Sequence, residues 1–446
     1  MERSDILTRA LGCHSQLADF RRRRLRYKRF TYGQQWTDTV TCVDGKVRTE
    51  RDLATMRGRT PLTNNMIRNL VKTIVGHFRT ELRDGGDSDA DRTAPDLDEI
   101  DARTLEEFLI SGMAVQRVSH ERRPSGSGIH VDFIPPDRFF FAPFSDPRGT
   151  DVEFLGMIHE WSLFETMGRF AGNDRLKAAE IRRIYTSDPT PRDNDRCRVI
   201  ETWSLEASER LRVHDPLNAT MEIHPLSHQP RIDAINRKRA RAGKPTLRTR
   251  WELHTAWIGR WLTPQGIILR QTEADAHPFA FRLYPMIDGE IHSFVEDVID
   301  QQKYINRLIT HVDNMLGTAA KGVLLFPQDQ LADDMDWHDV ADTWASYDGI
   351  LPYNPRPGVR APQQVISNAA PAGAYELLAL QMRMMEEVSG VHSAYRGKAV
   401  SGSGNSAQLY EAQARNSGVA LADLFATFTA FRRARNALTA KKVCPR

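Results

Sequence analysis

The chain has 446 residues, of which 27% are charged, and its formal net charge is only +3. This length predicts two or three domains with a sizeable hydrophobic core, and the near balance of charge excludes a uniformly basic protein. The four cysteines, Cys13, Cys42, Cys197 and Cys444, contain no CxxC pair, which argues against a zinc site or a disulfide framework. Because no run of 18 apolar residues and no apolar signal segment occurs, we expect a soluble chain without membrane contact.

A strongly basic run follows the first predicted helix, residues 6–20. Seven of the nine residues in 21–29 are basic. The run begins with Arg21, Arg22, Arg23 and Arg24. Two interpretations stay open: a contact surface for nucleic acid or another acidic partner, or the solvated face of a helix.

The next predicted helix has one apolar face and an N-cap at Thr63 or Asn64. Its buried residues would be Met66, Ile67, Leu70, Val71, Ile74, Val75 and Phe78. A polar linker over 84–98 and a helix over 97–111 follow. Strands are then predicted over 114–118, 129–134, 157–161, 199–203, 251–262 and 267–269, the first two as a hairpin, with a helical segment to Phe170.

A second basic segment lies between two of these strands, over residues 229–250. It has eight basic residues, among them Arg237, Lys238 and Arg239, against one acid, Asp233. Since the segment has no apolar periodicity, we predict an exposed basic arm or insertion.

A long amphipathic helix is predicted over 294–316, with Gly317 as its stop. Its apolar face includes Val298, Ile305, Leu308 and Val312. The opposite face is acidic and amide-rich. It carries Glu296, Asp297, Asp300, Gln301, Gln302, Asn306 and Asp313.

The segment after this helix is extended. Strands are predicted over 321–327 and 349–353, and five prolines between Pro352 and Pro371 disfavour helix. A helix over 373–389 follows, then a loop with four glycines over 390–404. A final helix is predicted over 405–442, with Gly418 as a possible kink.

No catalytic motif emerges. Gly397-Lys398 lacks the other residues of a phosphate-binding loop, and Gly402-Ser-Gly404 lacks the preceding strand of a dinucleotide site. His224 and His228 have no third ligand nearby, and the acids over 329–339 are typical of a solvated loop. We therefore expect no enzyme activity, no cofactor and no metal.

The order of helix, β-rich part, long helix, glycine-containing loop and kinked helix resembles the portal proteins of tailed bacteriophages, of the podovirus-like type. The residues that carry this resemblance are Tyr32-Gly-Gln-Gln-Trp36, segment 61–67, segment 297–306, segment 390–397, and Ser403-Gly-Asn-Ser406 with the helix after it. The resemblance implies an α+β portal fold: a mixed α/β wing, long stem helices, a small β-containing clip, and a kinked channel helix with a shortened crown. The implied bounds are wing 1–289, first stem helix 290–317, clip 318–371, second stem helix 372–389, tunnel loop 390–404 and kinked helix 405–446.

The resemblance also implies a function and partners. The protein would form a ring, usually of twelve subunits, at one capsid vertex of the virion, through which double-stranded DNA is packaged and ejected. The clip would dock the terminase large subunit and later the head–tail adaptor. The basic stretches would meet the major capsid protein, scaffold protein or packaged DNA.

Site residues follow from the same resemblance. The DNA channel would include Arg396, Lys398, Ser401, Ser403, Asn405, Glu296, Asp300 and Gln301. Subunits would pack through Val298, Ile305, Leu308, Val312, Leu377 and Met384. Basic contacts would come from Arg21, Arg22, Arg23, Arg24, Arg237, Lys238 and Arg239.

Two other function classes stay open. A nuclease would use the acids over 329–339, and its cleavage would require Asp333 and Asp336. A DNA-binding or scaffold protein of a phage particle would act as a monomer or dimer through Arg21–Arg24 without forming rings.

Overall fold

The computed structural model divides the chain into two compact units. It describes residues 3–84, 96–123, 126–186, 196–287, 289–321, 323–345, 350–365, 372–391 and 419–443. Unit 1 comprises Met1–Lys28, Val71–Glu296 and Leu421–Arg446, and unit 2 comprises Arg29–Leu70 and Asp297–Ala420. Each unit is thus assembled from segments that are distant in the sequence.

The described residues form a mixed α+β fold, as expected. The helices are α1 (Arg3–Gln16), α2 (Ala18–Thr31), α3 (Glu50–Met56), α4 (Met66–Asp84), α5 (Asp96–Ser111), α6 (Leu163–Phe170), α7 (Arg175–Thr186), α8 (Gln229–Arg241), α9 (Phe294–Lys321), α10 (Trp337–Ala345), α11 (Ala372–Ser389) and α12 (Ala422–Val443). The strands are β1 (Thr39–Thr41), β2 (Val47–Thr49), β3 (Met113–Arg123), β4 (Gly126–Phe133), β5 (Phe139–Phe141), β6 (Phe154–Ser162), β7 (Arg196–Asp215), β8 (Thr220–Pro225), β9 (Arg248–Leu262), β10 (Ile268–Ala274), β11 (Phe279–Leu283), β12 (Met286–Ile287), β13 (Glu290–Ile291), β14 (Val323–Leu325) and β15 (Gln363–Val365).

Unit 1 is built around two antiparallel sheets. The larger has the order β10-β9-β7-β6-β5, with β8 pairing β7, and the smaller has the order β11-β3-β4. The 20-residue β7 pairs β9 from Ile200↔Leu262 to His214↔Arg248. The period-two alternation predicted both strands, but not that they pair along a long ribbon, since pairing depends on residues distant in the sequence. Gly259 allows the close approach of Trp203, whose ring would lie 2.7 Å from a Cβ at that position.

Apolar periodicity predicted α4 correctly. All seven residues expected on its inner face are buried. The predicted cap was wrong by one or two residues: the Asn65 side chain accepts a hydrogen bond from the backbone N–H of Arg68, as an N-cap does, so neither Thr63 nor Asn64 holds that position.

The helix α12 is an integral part of unit 1. It packs across β3 and β11. Its Phe428 ring packs against Phe78 and Phe108, with ring centroids 5.4 and 5.9 Å apart. Arg435, only 2% exposed, donates two hydrogen bonds to the carboxylate of Asp101, which is 1% exposed. The segment over 405–418, including Gly418, lies outside the described residues.

Unit 2 contains most of α9, which is longer than predicted. The helix continues through Gly317 to Lys321 and so spans about 42 Å. Gly317 was therefore wrong as a stop signal, because a single glycine inside a helix costs only about 1 kcal/mol relative to alanine.

The region after α9 also differs from expectation. The strand predicted over 321–327 is present as β14, but its partner is β15, within the proline-rich part. The strand predicted over 349–353 is reduced to one isolated bridge, Leu331↔Tyr353. The helix α11 has the bounds expected for the helix over 372–389.

Candidate functional surfaces

The polar face of α9 divides into an exposed part and a buried part. Asp297 and Asp300 are exposed, whereas Gln301 is half-buried. Glu296 is also half-buried, with Oε2 3.3 Å from Nδ1 of His292 and Oε1 3.8 Å from the Arg23 guanidinium. Of the three α9 residues proposed for a DNA channel, Asp300 is therefore exposed in the single chain, whereas Glu296 and Gln301 are half-buried.

The amides of α9 hold the segment over 62–67. The Gln302 Oε1 accepts from the backbone N–H groups of Met66 and Ile67, at 2.9 and 3.2 Å, and its Nε2 donates to the Asn64 carbonyl at 2.6 Å. One turn later, the Asn306 Oδ1 accepts from the Asn64 N–H at 3.0 Å.

One turn after Asn306, on the same side of α9, the Thr310 Oγ1 accepts from the Leu62 N–H at 3.0 Å. Gln302, Asn306 and Thr310 are at most 5% exposed. The expectation that the amide-rich side as a whole faces outward was wrong, because these side chains replace missing backbone partners of an irregular segment.

Most of the apolar α9 residues proposed for subunit packing are used within the chain. Val298 and Ile305 are 0% exposed and Val312 is 6% exposed. These three are therefore corrected from intersubunit contacts to core residues. Leu308 is only half-buried and lines an open groove of about 480 Å³, together with Trp36 and Leu53.

The helix α11, in contrast, keeps an apolar stripe uncovered. Leu377, Leu380, Met384 and Val388 follow the spacing i, i+3, i+7, i+11, which places them on one helical face. Leu380 is 47% exposed and Val388 is 48% exposed, while Leu377 and Met384 are half-buried. Met385, on another face of the helix, is fully buried.

The N-terminal basic run is a helix, and its four arginines have different environments. Arg22 is exposed, and Arg21 and Arg23 are half-buried. Arg24 is buried and forms a bidentate pair with Glu107, with distances of 2.6 and 2.9 Å. Arg24 must therefore be corrected from a contact residue to a structural residue.

The segment over 229–250 is not an arm. Residues 229–241 form α8, and Ile232 from this helix packs with Leu211 and Val213 in a small core. Arg239 donates two hydrogen bonds to Asp215, at 2.6 and 2.8 Å, and these bonds hold the pKa of that carboxyl well below its usual range. Arg239 is therefore a structural residue, whereas Arg237 and Lys238 remain exposed.

Two of the acids over 329–339, Asp336 and Asp339, stabilise a helix terminus. The Asp336 carboxylate accepts from the backbone N–H groups of His338 and Asp339, at 2.7 and 2.8 Å, which lowers its pKa. Asp339 in turn accepts from the Asp336 N–H, completing a reciprocal cap on α10. His224 and His228 lie with ring centroids 5.6 Å apart. Among the described residues, no group of three or more His, Cys, Asp or Glu side chains is arranged to hold a metal ion.

A buried charge cluster in unit 1 was not predicted. Glu201, 0% exposed, accepts from Nε2 of His159 at 2.6 Å, Nε1 of Trp203 at 2.9 Å and Nε of Arg117 at 3.1 Å. Burial alone would raise the pKa of Glu201, but the Arg117 charge and the hydrogen bonds lower it to about 2. Burial lowers the pKa of His159, and the contact with Glu201 opposes this shift. No sequence signal links Arg117 and His159 to Glu201, since the three residues lie on β3, β6 and β7.

The proposed tunnel-loop residues Arg396, Lys398, Ser401, Ser403 and Asn405 lie outside the described residues. The first residue of that segment, Gly390, has φ +66° and ends α11. A Cβ at this position would lie 2.4 Å from the Cβ of Ala420, so Gly390 and Ala420 lie in contact although 30 positions separate them in the sequence.

The comparison with protein families identifies this architecture. The family model of the phage P22-like portal protein matches residues 88–438, most of the chain. The chain belongs to the P22-like portal protein family. This membership confirms the resemblance, and portal proteins of this family are structural rather than catalytic. A comparison with curated proteins finds no match to the chain. None of the described portal helices is long and apolar enough to cross a membrane.

Proposed function

We propose that this portal protein forms a ring, most simply a dodecamer, at one capsid vertex of a phage particle. Double-stranded DNA would pass through the ring axis during packaging and ejection. The family supports this proposal, and the observation that carries the ring is the uncovered apolar stripe of α11. Such a stripe is stabilised by burial against another subunit.

A closed ring needs two different surfaces that fit each other, because each subunit contacts the next head to tail. Unit 2 offers two candidates. One is the stripe Leu377, Leu380, Met384 and Val388 on α11. The other is the groove lined by Trp36, Leu53 and Leu308, with Arg57 and Arg307 also on its wall.

A channel wall must let DNA slide. Each phosphate contact adds salt-dependent affinity, so acidic side chains suit a wall better than basic ones. Asp297 and Asp300 are the exposed acids in the first turns of α9, and we propose that they face the channel. Arg396 and Lys398 of the tunnel loop would contact the phosphate backbone of the DNA transiently.

The clip, residues 318–371, would dock the terminase large subunit during packaging and the head–tail adaptor afterwards. Capsid or scaffold protein would contact the wing. Packaging energy would come from the separate terminase, and the protein would perform no catalysis. Of the two acids that a nuclease would require, Asp336 is occupied as a cap of α10, which favours the structural role.

Mass photometry with negative-stain microscopy tests the ring. The purified chain is expected to form particles of uniform mass with a central hole at moderate salt. A sample that stays monomeric even after crosslinking at high concentration would refute the proposed function.

A further inference from the structure

The helix α8 is fixed rigidly on the β7/β9 ribbon of unit 1. Ile232 is 4% exposed and forms a small core with Leu211 and Val213. Asn236 exchanges two hydrogen bonds with the backbone of Leu247, at 2.7 and 3.1 Å. Together with the Arg239–Asp215 pair, these contacts set the orientation of the outer face of the helix.

That outer face is strongly basic and its charges are not neutralised. We define the α8 basic surface by its exposed residues: Arg231, Arg237, Lys238, Arg241, Lys244, Arg248 and Arg250. None of them forms an ion pair with another described residue. Two nearby acids are engaged otherwise, because Asp215 binds Arg239 and Glu252 lies 2.8 Å from Arg212. One exposed acid, Asp233, remains on α8 beside these seven cations.

The composition of this surface favours phosphate over protein. Five of its seven cations are arginines, whose planar guanidinium matches phosphate oxygens in pairs. The exposed apolar residues of α8 are small, namely Pro230, Ala234 and Ala240, so the helix offers little apolar area to a protein partner. Phosphate backbones, in contrast, are bound mainly through charge.

The spacing also suits a polyanion. Arg237 and Arg241 are one turn apart on α8, about 6 Å along the axis, with Lys238 beside them. Long cationic side chains at this separation can reach successive phosphates of one strand. We propose that the α8 basic surface binds the phosphate backbone of double-stranded DNA at a site distinct from the ring channel. This inference rests on the proposed function in one respect: the passage of double-stranded DNA through the particle identifies DNA as the polyanion.

A matched pair of variants tests the proposal. The first, Arg237→Ala with Lys238→Ala and Arg241→Ala, removes three cations from the surface. The control, Arg175→Ala with Arg182→Ala and Arg183→Ala, removes three exposed cations from α7 of the same unit. Both keep the hydrophobic core intact, and thermal unfolding checks that each variant folds.

Binding of the full-length protein to a 30-base-pair duplex is measured by fluorescence anisotropy over a salt series. The α8 variant should lose affinity at least about 10-fold at low salt. The slope of log K against log salt should become less steep by about 3, or one for each lost phosphate contact. The control should change neither quantity.

Three results would overturn the inference: a wild-type protein that does not bind duplex, equal losses in both variants, or preferential binding of polyglutamate, which would indicate an acidic protein partner. Imaging of the same samples separates this test from the ring. Rings without duplex binding would refute only the α8 surface. If instead the protein forms no ring but binds duplex, and the α8 variant loses this binding, the result would support the α8 basic surface and refute only the ring.

Discussion

Ring assembly should depend on the apolar stripe of α11, and a charge-introducing variant tests this dependence. Leu380 and Val388 are the two most exposed members of the stripe, at 47% and 48%. Neither contributes to the buried core of the single chain. The double substitution Leu380→Glu with Val388→Glu should therefore leave the isolated subunit folded while it weakens the contact between subunits.

The size of the effect follows from the area at stake. Full burial of a leucine or valine side chain contributes about 1.5–3 kcal/mol, so covering the exposed half of each contributes about 1 kcal/mol. The variant loses both contributions and must also bury two carboxylates without partners, at a further cost of at least about 1 kcal/mol each. A total of about 4 kcal/mol weakens each subunit contact roughly 1,000-fold.

Mass photometry over a concentration series measures this change, and circular dichroism checks the fold. The control is Leu11→Glu with Leu176→Glu, two exposed leucines on α1 and α7, at 47% and 82% exposure. We expect rings for the control at wild-type concentrations and monomers for the α11 variant. Unchanged rings in the α11 variant would show that this stripe is not an interface.

Three further predictions concern the folded chain. Asp101→Asn leaves the buried Arg435 without a full anionic partner and should lower the free energy of unfolding by about 3–5 kcal/mol in urea titration; a loss below 1 kcal/mol would contradict this. Gln302→Met removes the side-chain acceptor of the Ile67 N–H, whereas the Met66 N–H keeps the Asn64 carbonyl, so thermal unfolding should show about 1–3 kcal/mol of destabilisation, and an unchanged Tm would argue against this role of Gln302. Folding lowers the pKa of Glu201 from 4.5 to about 2, so its ionisation contributes about 3 kcal/mol to the free energy of unfolding above pH 4.5, and this contribution is lost as the pH falls toward 2. In urea titrations, Glu201→Gln should lack this pH dependence of the free energy of unfolding. A wild-type pH profile in the variant would contradict the prediction.

The elements predicted from the sequence are those with a strong local period. The 3.6-residue spacing of apolar residues identified α4, α9 and α11, and the period of two identified β7 and β9. Such patterns can be read from the sequence because the spacing of apolar residues within a short stretch identifies the buried face of a helix or strand.

The roles of polar residues could not be predicted in this way. Arg22 and Arg24 look alike within one basic run, yet their carboxylate partners differ. Arg22 pairs at the exposed surface with Asp19, three positions away, whereas Arg24 is buried against Glu107, 83 positions away. Gln302 lies on the polar face of α9 and is nevertheless buried, because its partners are 235 to 238 residues distant. For such side chains the tertiary partner, absent from any local pattern, decides between a contact surface and the core.

The Asp101–Arg435 contact also has a consequence for synthesis of the chain. Its two residues are 334 positions apart. At about 5–20 residues per second, a ribosome needs about 20–70 seconds to make the second residue after the first. During that time the α5 and β3 surfaces lack the contacts that α12 makes in the folded chain. A chain that ends before α12 would lack the partners that this helix supplies to Asp101, Phe78 and Phe108.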